Sequence, residues 1–311
     1  MIGTIRKEWK WVESQEKKMV YGLIVGTACA DAWAARLRQE SGKAGGSAGT
    51  VRKLRQCEKL DEEILRETLA QWEEEPGNCF CVVETDAAAD AAGRLGIPCI
   101  AYCNPQLEEQ KFSGVKLLLE GFEEIDWKFL DGAHTRALGL PVEIARTEHL
   151  IIREMVVEDL NSMYELYEDA EVSRFVKEGL DENRTLEEER TKAYIHYMYG
   201  LYQFGMWAVL EKATGKLIGR AGFGIADYRG QPELDLGYLI GKSWRNRGLA
   251  CEACQAVLDY GREELGFPQV SAYIHEENAP SLAVAGKLGF VQKGRVEADG
   301  ERLLWFVKEL A

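Results

Sequence analysis

Runs of apolar residues follow two different patterns along the chain, and the change falls near its middle. Before about residue 147, all-apolar runs such as Gly22–Gly26 and Cys79–Val83 alternate with amphipathic or alanine-rich segments. Runs without polar alternation are typical of strands buried on both faces, and strand–helix–strand alternation favours parallel pairing with right-handed crossovers. We predict an α/β fold whose N-terminal part, residues 1–147, is a Rossmann-like three-layer domain.

The second pattern, over residues 148–311, has strands that follow one another through short turns. Residues 149–155 read as a first strand, and two later strands flank a turn at which Gly215 supplies the positive φ that a tight hairpin requires. Two more strands, at 233–240 and 269–275, enclose a helical segment, and a strand pair ends the chain. We predict a mixed α/β domain with an antiparallel front end.

Several other segments have a predicted conformation. In the first half we expect a glycine-rich loop at Ser41–Thr50, a charged helix over about Lys59–Glu75 and a helix-rich tail at Leu117–Leu130. In the second half, a polar helix spans Leu186–Gly205. Its aromatic residues either pack in the core or line a substrate groove, and they are Tyr194, Tyr197, Tyr199, Tyr202 and Phe204.

Composition narrows the classes of partner. The 311 residues carry a formal net charge of −14, which disfavours wholesale binding to nucleic acid but permits a local basic pocket. The best apolar run, Met19–Ala30, is well short of the ~20 residues that span a bilayer. Residues 1–18 lack the apolar core of a secretory signal, so we expect a cytoplasmic protein with no membrane partner. The eight cysteines then predict no disulfide framework, and their place in apolar runs predicts no metal site.

The segment Ser243–Val257 concentrates glycine, arginine and small residues between a strand and a helix, and it has three possible explanations. It is a phosphate cradle, a redox or metal site on Cys251 and Cys254, or simply a capped helix. The first N–H groups of a helix attract phosphate, and Gly248 leaves the backbone accessible. A nucleotide P-loop is excluded, because the glycines of Gly237–Ser243 have three residues between them and that motif needs four.

A family resemblance favours the phosphate explanation. The run Arg245-Asn246-Arg247-Gly248-Leu249-Ala250 resembles the [Q/R]-x-x-G-x-[G/A] pyrophosphate loop of the GNAT superfamily of acyl-CoA N-acyltransferases. About thirty residues further on, Asn278-Ala279-Pro280-Ser281 and then Lys287-Leu288-Gly289-Phe290 resemble its second signature. The likeness covers residues 148–311 and is closest to the branch that includes ribosomal-protein alanine N-acetyltransferases.

The resemblance implies a coenzyme A site at particular residues. Backbone N–H groups from Arg247 to Ala250 are expected to hold the pyrophosphate, with added charge from Arg245 and Arg247. Leu239 and Ile240 are expected to pair with the pantetheine amides as an extra strand would. Asn278 is expected to hydrogen-bond the pantetheine arm, and Ser281 to lie near the sulfur and stabilise the departing thiolate.

An attacking amine must also lose a proton, so the chemistry requires a carboxylate near the thioester. Asp235 and Glu233 point to one face of a single predicted strand, and Asp235 aligns with the acidic residue common in the resembled branch. We rank Asp235 first and Glu233 second as the base. The tyrosine that many members place four residues before Gly-Phe is Ala285 here, so Ser281 or solvent takes the role of acid.

The first half resembles another family more weakly. Residues 78–129 are similar to the late strand–helix–strand of haloacid dehalogenase-like hydrolases, with Asp86 and Asp90 in the place of acidic metal-binding residues. The D-x-D-x-[T/V] nucleophile motif of that family is missing, because GLIVGTACAD offers only Asp31. We therefore interpret the half as a degenerate scaffold for partner binding, acceptor shaping or homodimer formation.

These expectations combine into an acetyl-CoA-dependent N-acetyltransferase. We expect it to transfer acetyl to a primary amine, on a protein N-terminus or a small molecule, by direct attack in a ternary complex. Two alternatives stay open: a non-catalytic acyl-CoA-binding or regulatory module, and residual phosphatase activity in the N-terminal domain.

Overall fold

The computed structural model describes residues 20–43, 52–176, 179–298 and 300–310. The chain divides into two compact units, and the division lies between Val142 and Glu143. The strand Glu143–Arg146 therefore belongs to the second unit, and the division falls before this strand rather than after Thr147.

The first unit is built on a parallel sheet. Its strands are β1 (Gly22–Gly26), β2 (Lys53–Gln56), β3 (Cys79–Val83), β4 (Cys99–Tyr102) and β5 (Leu118–Leu119), in the order β2-β1-β3-β4-β5. Its helices are α1 (Asp31–Lys43), α2 (Glu62–Trp72), α3 (Asp86–Leu95) and α4 (Trp127–Ala137). Every pairing between neighbouring strands of this sheet is parallel, which confirms the pairing expected from the strand–helix alternation.

Two apolar clusters cover the two faces of this sheet. Leu23 and Val25 of β1 pack with residues of α1 and α4, whereas Ile24 packs with residues of α2 and α3. Alternate side chains of a strand point to opposite faces, so both faces of β1 are buried. The unit therefore has three layers, with a parallel sheet between two pairs of helices.

Sequence patterns failed at two places in this unit. The strand β2 was not predicted, because its four half-buried residues, KLRQ, carry a single apolar side chain. The helix-rich tail expected at Leu117–Leu130 is wrong in its first part, where Leu118 and Leu119 form β5. Helix α4 begins only at Trp127, where the Asp126 carboxylate accepts from Phe129 N. The glycine-rich loop at Ser41–Thr50 lies outside the described residues from position 44 onward.

The second unit is a mixed sheet of eight strands. They are β6 (Glu143–Arg146), β7 (Leu150–Arg153), β8 (Met206–Glu211), β9 (Leu217–Ala226), β10 (Glu233–Ile240), β11 (Gln269–His275), β12 (Val291–Ala298) and β13 (Glu301–Glu309). The helices are α5 (Leu160–Tyr167), α6 (Ala170–Phe175), α7 (Arg184–Tyr194), α8 (Leu249–Glu263) and α9 (Ala279–Lys287). Spatial order is β12-β13-β11-β10-β9-β8-β7-β6, antiparallel except for β10 beside β11.

The antiparallel front end is thereby confirmed, together with the turn at Gly215, where φ is +69°. Helix α8 packs its Ala253, Cys254 and Val257 into the core of this sheet. The expected polar helix at Leu186–Gly205 is present with a change of geometry: α7 ends at Tyr194 and continues as a π-helix over Ile195–Tyr202.

The cysteines behave mainly as small apolar residues. Cys79 and Cys81, two residues apart on β3, are buried in one cluster, while Cys29 is exposed. Within the described parts of the chain, no three His, Cys, Asp or Glu side chains are grouped to hold a metal. None of the described helices combines the length and apolar character needed to cross a membrane.

Candidate active site

The strands β10 and β11 form a fork. Among the described residues the two strands are paired at Asp235 and Ser271. Beyond this pair they separate, although β10 continues to Ile240 and β11 to His275. On its other edge β10 stays paired with β9 along its whole length. A cavity of about 620 Å³ lies in the fork, lined from β10, β11 and the start of α9. Leu239, expected to contact a pantetheine arm, lines this cavity; Ile240, at the end of the strand, does not.

Helix α8 begins at the end of the loop that follows β10, and no side chain caps its N-terminus. Gly248 occupies the N-cap position with φ of +81°, a left-handed conformation that glycine adopts without strain. A Cβ built on Gly248 would meet no atom within 4 Å, so open space lies in front of it. The backbone N–H groups of Leu249 and Ala250 follow in the first turn, where the positive end of the helix dipole favours an anion.

The two arginines of the loop have different roles in the structure. The Arg245 guanidinium is engaged within the protein, donating from Nε to Ile240 O at 3.1 Å and from Nη2 to Asp169 Oδ2 at 2.8 Å. It ties the loop to the end of β10. Arg247 is half exposed and only loosely held, 3.3 Å from Glu211 Oε1. Between them, Asn246 turns the chain with φ of +61°. Arg247 is thus the arginine better placed to meet a phosphate.

The start of α9 brings the second signature to the cavity. Asn278 caps the helix, its Oδ1 accepting from Ser281 N at 3.3 Å, and both residues line the cavity. Ser281 Oγ accepts from the Tyr238 hydroxyl at 3.1 Å. Burial raises the pKa of Tyr238 well above its usual range, so this tyrosine stays protonated and keeps donating to Ser281.

The two candidate bases differ in their surroundings. Glu233 accepts from Arg229 at 2.5 Å, from Gln231 at 3.2 Å, and from Ser271 and Tyr273 at 2.8 Å each. Burial alone would raise the pKa of Glu233, but these hydrogen bonds and the Arg229 charge outweigh it and hold the pKa below its ordinary value. Such a carboxylate is a weak base. Asp235, two residues along the same face, lines the cavity.

Several residues that line the cavity were not predicted from the sequence, and some aromatic residues were given two possible roles. Glycines 224 and 237 lie on the Asp235 face, and Glu301 reaches the cavity from β13. No sequence motif marks them, since only strand register brings them together. Among the aromatic residues of the polar helix, Tyr194 lines the cavity and Tyr199 and Phe204 are buried in the core, whereas Tyr197 and Tyr202 are exposed.

This arrangement fits an acyl-CoA. The uncapped glycine turn provides room and N–H donors for a pyrophosphate, and the open edge of β10 leads from that turn into a cavity with a carboxylate. The fold and the site therefore define an acyl-CoA-dependent acyltransferase.

Comparison with known proteins supports the same class of enzyme for the second unit. Residues 149–291 match the family described as "Acetyltransferase (GNAT) domain". The chain is 30% identical over 148 residues to the uncharacterized N-acetyltransferase YnaD of Bacillus subtilis (strain 168), covering 48% of this chain and 82% of that protein. It is 27% identical over 154 residues to the uncharacterized N-acetyltransferase p20 of Bacillus licheniformis, covering 49% and 85%. A solved structure of the ribosomal L7/L12 alpha-N-protein acetyltransferase RimL with coenzyme A is 13% identical, covers 54% of this chain and 97% of its own, and gives a TM-score of 0.45.

The chain belongs to the GNAT acetyltransferase family through its second unit. It is an N-acetyltransferase whose co-substrate is acetyl-CoA.

Proposed function

We propose that this enzyme transfers acetyl from acetyl-CoA to a primary amine by direct attack in a ternary complex. The observation that carries the proposal is that the β10 strand, whose Asp235 and Leu239 line the cavity on an edge left open beside β11, is followed directly by the loop with the uncapped turn at Gly248. The amine nitrogen forms a bond to the thioester carbonyl carbon, the carbon–sulfur bond breaks, and the thiolate leaves. The amine proton goes to Asp235, directly or through water, and the thiolate gains a proton in turn.

Residues of the loop and fork have separate tasks in this proposal. The backbone from Arg247 to Ala250 binds the pyrophosphate, with the Arg247 side chain adding charge. Arg245 and Asn246 shape the loop, since Arg245 is already bound to Asp169 and Ile240. Leu239 and Ile240 hold the pantetheine amides through the backbone of the β10 edge that faces the fork. Asn278 contacts the same arm from the start of α9.

Ser281 is placed to act on the departing sulfur. Its hydroxyl oxygen accepts a hydrogen bond from Tyr238, which leaves its own proton available for a neighbouring acceptor. A serine donor of this kind stabilises the negative charge that develops on the sulfur. We propose that Ser281 donates to the thiolate and that Tyr238 orients Ser281.

The first unit is proposed to be a degenerate haloacid dehalogenase-like domain with a Rossmann-like fold. Its parallel three-layer architecture supports this proposal. Asp86, which resembles a metal-binding residue, uses its carboxylate to accept from Lys111 N at 3.1 Å and Phe112 N at 2.7 Å, so it anchors a loop. With magnesium and p-nitrophenyl phosphate, we expect no phosphatase activity. Homodimer formation through this unit stays a prediction.

A thiol-release assay across a panel of amines and peptides tests the main proposal. Asp235→Asn should lower kcat by about 10²–10⁴-fold, the usual contribution of a general base. Glu233→Gln is the matched control on the same face of the same strand, and its kcat should change by only a few fold. Equal losses in the two variants would overturn the assignment of Asp235. If the protein binds coenzyme A yet no acceptor releases thiol, it is a non-catalytic acyl-CoA-binding module.

A further inference from the structure

We infer that the acceptor is a primary amine with a single positive charge, carried on a bulky apolar body. Two sources have this chemistry: a free arylalkylamine, and a peptide whose first residue has a large apolar side chain. The inference rests on the proposed function, because it names the substrate of the same cavity.

The floor of the cavity beside Asp235 is formed by Gly224, which has no side chain. On the shared face of β9 and β10, Gly224 lies directly opposite Asp235. A Cβ on Gly224 would meet no atom within 4 Å, so the space next to the carboxylate is open. Glycine weakens a strand interior, and it often marks a place where a ligand approaches the backbone closely. The body attached to the amine therefore has room directly beside the proposed base.

The walls around this floor are apolar and adaptable. They are formed by aromatic, aliphatic and methionine side chains, namely Phe175, Val176, Tyr194, Met198 and Met206. Met198 lies in the π-helical segment Ile195–Tyr202, a geometry that is found mainly at functional sites. Methionine side chains fit irregular apolar ligands because they are flexible and polarisable. An apolar ligand is thus favoured over a strongly hydrated one.

Two large apolar side chains of this cavity are also exposed to water. Ile225 is 56% exposed and Tyr228 is 43% exposed, although both line the cavity. The Tyr228 ring stands edge-on to Tyr273, with 4.9 Å between the ring centroids. Covering such surfaces with an apolar ligand is favourable in proportion to the area removed from water. Their position indicates that the body of the acceptor extends from the floor toward the solvent.

Charges around the cavity favour one cation rather than several. The Glu233 carboxylate is held by Arg229, Gln231, Ser271 and Tyr273, and Glu277 is paired with Arg174 at 2.5 Å. Both are neutralised within the protein.

Glu301 lies in the cavity with its Oε2 at 3.9 Å from His275 Nε2. His275 Nδ1 accepts from Glu277 N at 3.1 Å, so the ring proton is on Nε2 and faces Glu301. Within the described chain, two carboxylates, those of Asp235 and Glu301, and one guanidinium, that of Arg220, line the cavity, so its charged lining residues sum to one negative charge. A polyamine or an aminoglycoside needs several carboxylates in excess, whereas a monoamine needs one.

The first test compares amines on the full-length enzyme at saturating acetyl-CoA. The kcat/KM for 2-phenylethylamine should exceed that for ethylamine by at least about 30-fold, which is the effect expected from burying one aromatic side chain. Spermidine should be the poorer substrate. Peptides that begin with Leu or Phe, compared with peptides that begin with Gly or Ala, distinguish the peptide source from the free amine. A preference for ethylamine, spermidine or Gly-initiated peptides would overturn the inference while the proposed function stands.

A pair of variants tests the cavity itself. Gly224→Val should fill the open floor, raising KM for 2-phenylethylamine by about 10-fold or more while KM for acetyl-CoA stays the same. Ile225→Ser should raise KM for the same amine several fold. Val291→Ser is its matched control, because Val291 is also 56% exposed on a strand yet lies outside the cavity. Equal KM values in the Ile225 and Val291 variants would contradict a role for the Ile225 side chain in binding the acceptor.

A binding measurement distinguishes a failure of the proposed acetyl transfer from a failure of the inferred acceptor class. Titration calorimetry of 2-phenylethylamine into the enzyme with coenzyme A requires no turnover. If no amine releases thiol but 2-phenylethylamine binds and Gly224→Val abolishes the binding, the proposed function fails and the inferred ligand class stands. If acetylation of other amines occurs and 2-phenylethylamine does not bind, the inferred class is wrong.

Discussion

At the scale of single residues, two acidic side chains on one strand have different surroundings, and we propose different roles for them on that ground. Glu233 is surrounded by four donors, whereas Asp235 faces the cavity. The sequence ranked the two residues and could not separate them by environment, because Ser271 and Tyr273 come from β11, which is distant in the chain. Strand alternation alone places both carboxylates on the same face.

Replacing Glu233 should change stability in a pH-dependent way. Glu233→Gln removes a charged acceptor and should lower the free energy of unfolding by about 1–2 kcal/mol at pH 7. The pKa of Glu233 is lowered by folding, so the stability from its ionised form is present above the unfolded pKa and is lost as pH falls through the folded pKa. Urea denaturation of the unchanged protein and of Glu233→Gln, from pH 7 down to pH 3, should therefore show a difference in unfolding free energy that becomes smaller as the pH falls. A constant difference across that range would contradict a charge-dependent role.

At the scale of elements, helix α8 was predictable from the sequence. Its start after a glycine and its position between two strands were predicted, and Leu249–Glu263 is the helix found. Strand β2 was missed because it carries a single apolar side chain, and β5 because it is only two residues long. Short strands acquire their conformation from pairing with a neighbour, which local sequence does not report.

The turn before α8 should be sensitive to a single methyl group. Gly248→Ala forces alanine into a left-handed conformation and places a Cβ in the space where a phosphate approaches. We expect the Kd for coenzyme A to rise by about 10-fold or more, which titration calorimetry can measure. Gly286→Ala is the control, because its Cβ also meets no atom and no left-handed φ is required there. It should leave the Kd unchanged, and a similar loss in both variants would contradict this account.

The junction of β7 and α5 depends on a buried ion pair. Arg153 and Asp159 make a bidentate contact at 2.6 and 2.7 Å, with side chains that are 6% and 8% exposed. Asp159 also accepts from Val156 N at 2.9 Å. Asp159→Asn leaves a buried arginine without its counter-charge and should lower unfolding free energy by about 3–5 kcal/mol.

The surface pair of Arg262 and Asp259, on α8, provides the comparison for that variant. Its side chains are 48% and 41% exposed, so Asp259→Asn should change unfolding free energy by less than about 1 kcal/mol. Chemical denaturation followed by tryptophan fluorescence measures both. Equal effects would show that burial does not control the strength of these pairs.

At the scale of the whole molecule, the boundary of the catalytic unit depends on one strand. Strand β6 pairs with β7, and the division between the units lies before it. A chain that starts at residue 148 loses β6 and exposes the edge of β7, which invites aggregation. We expect residues 140–311 to fold alone with a cooperative transition, and residues 148–311 to melt several degrees lower or aggregate. Thermal scans and light scattering check this, and equal behaviour would contradict a structural role for β6.

The sequence by itself determined the parallel pairing of the first unit, the antiparallel front end of the second unit and the shared face of Glu233 and Asp235, because each follows from local spacing. Glycine, small residues and arginines between a strand and a helix also predicted an accessible helix start, and the structure has Gly248 at that N-cap with open space in front of it. Only the tertiary structure decided that Arg245 is engaged by Asp169, that Glu233 is neutralised and that Gly224 opens a floor beside Asp235. These outcomes depend on register and packing between segments far apart in the chain, and contacts of that kind leave no local pattern.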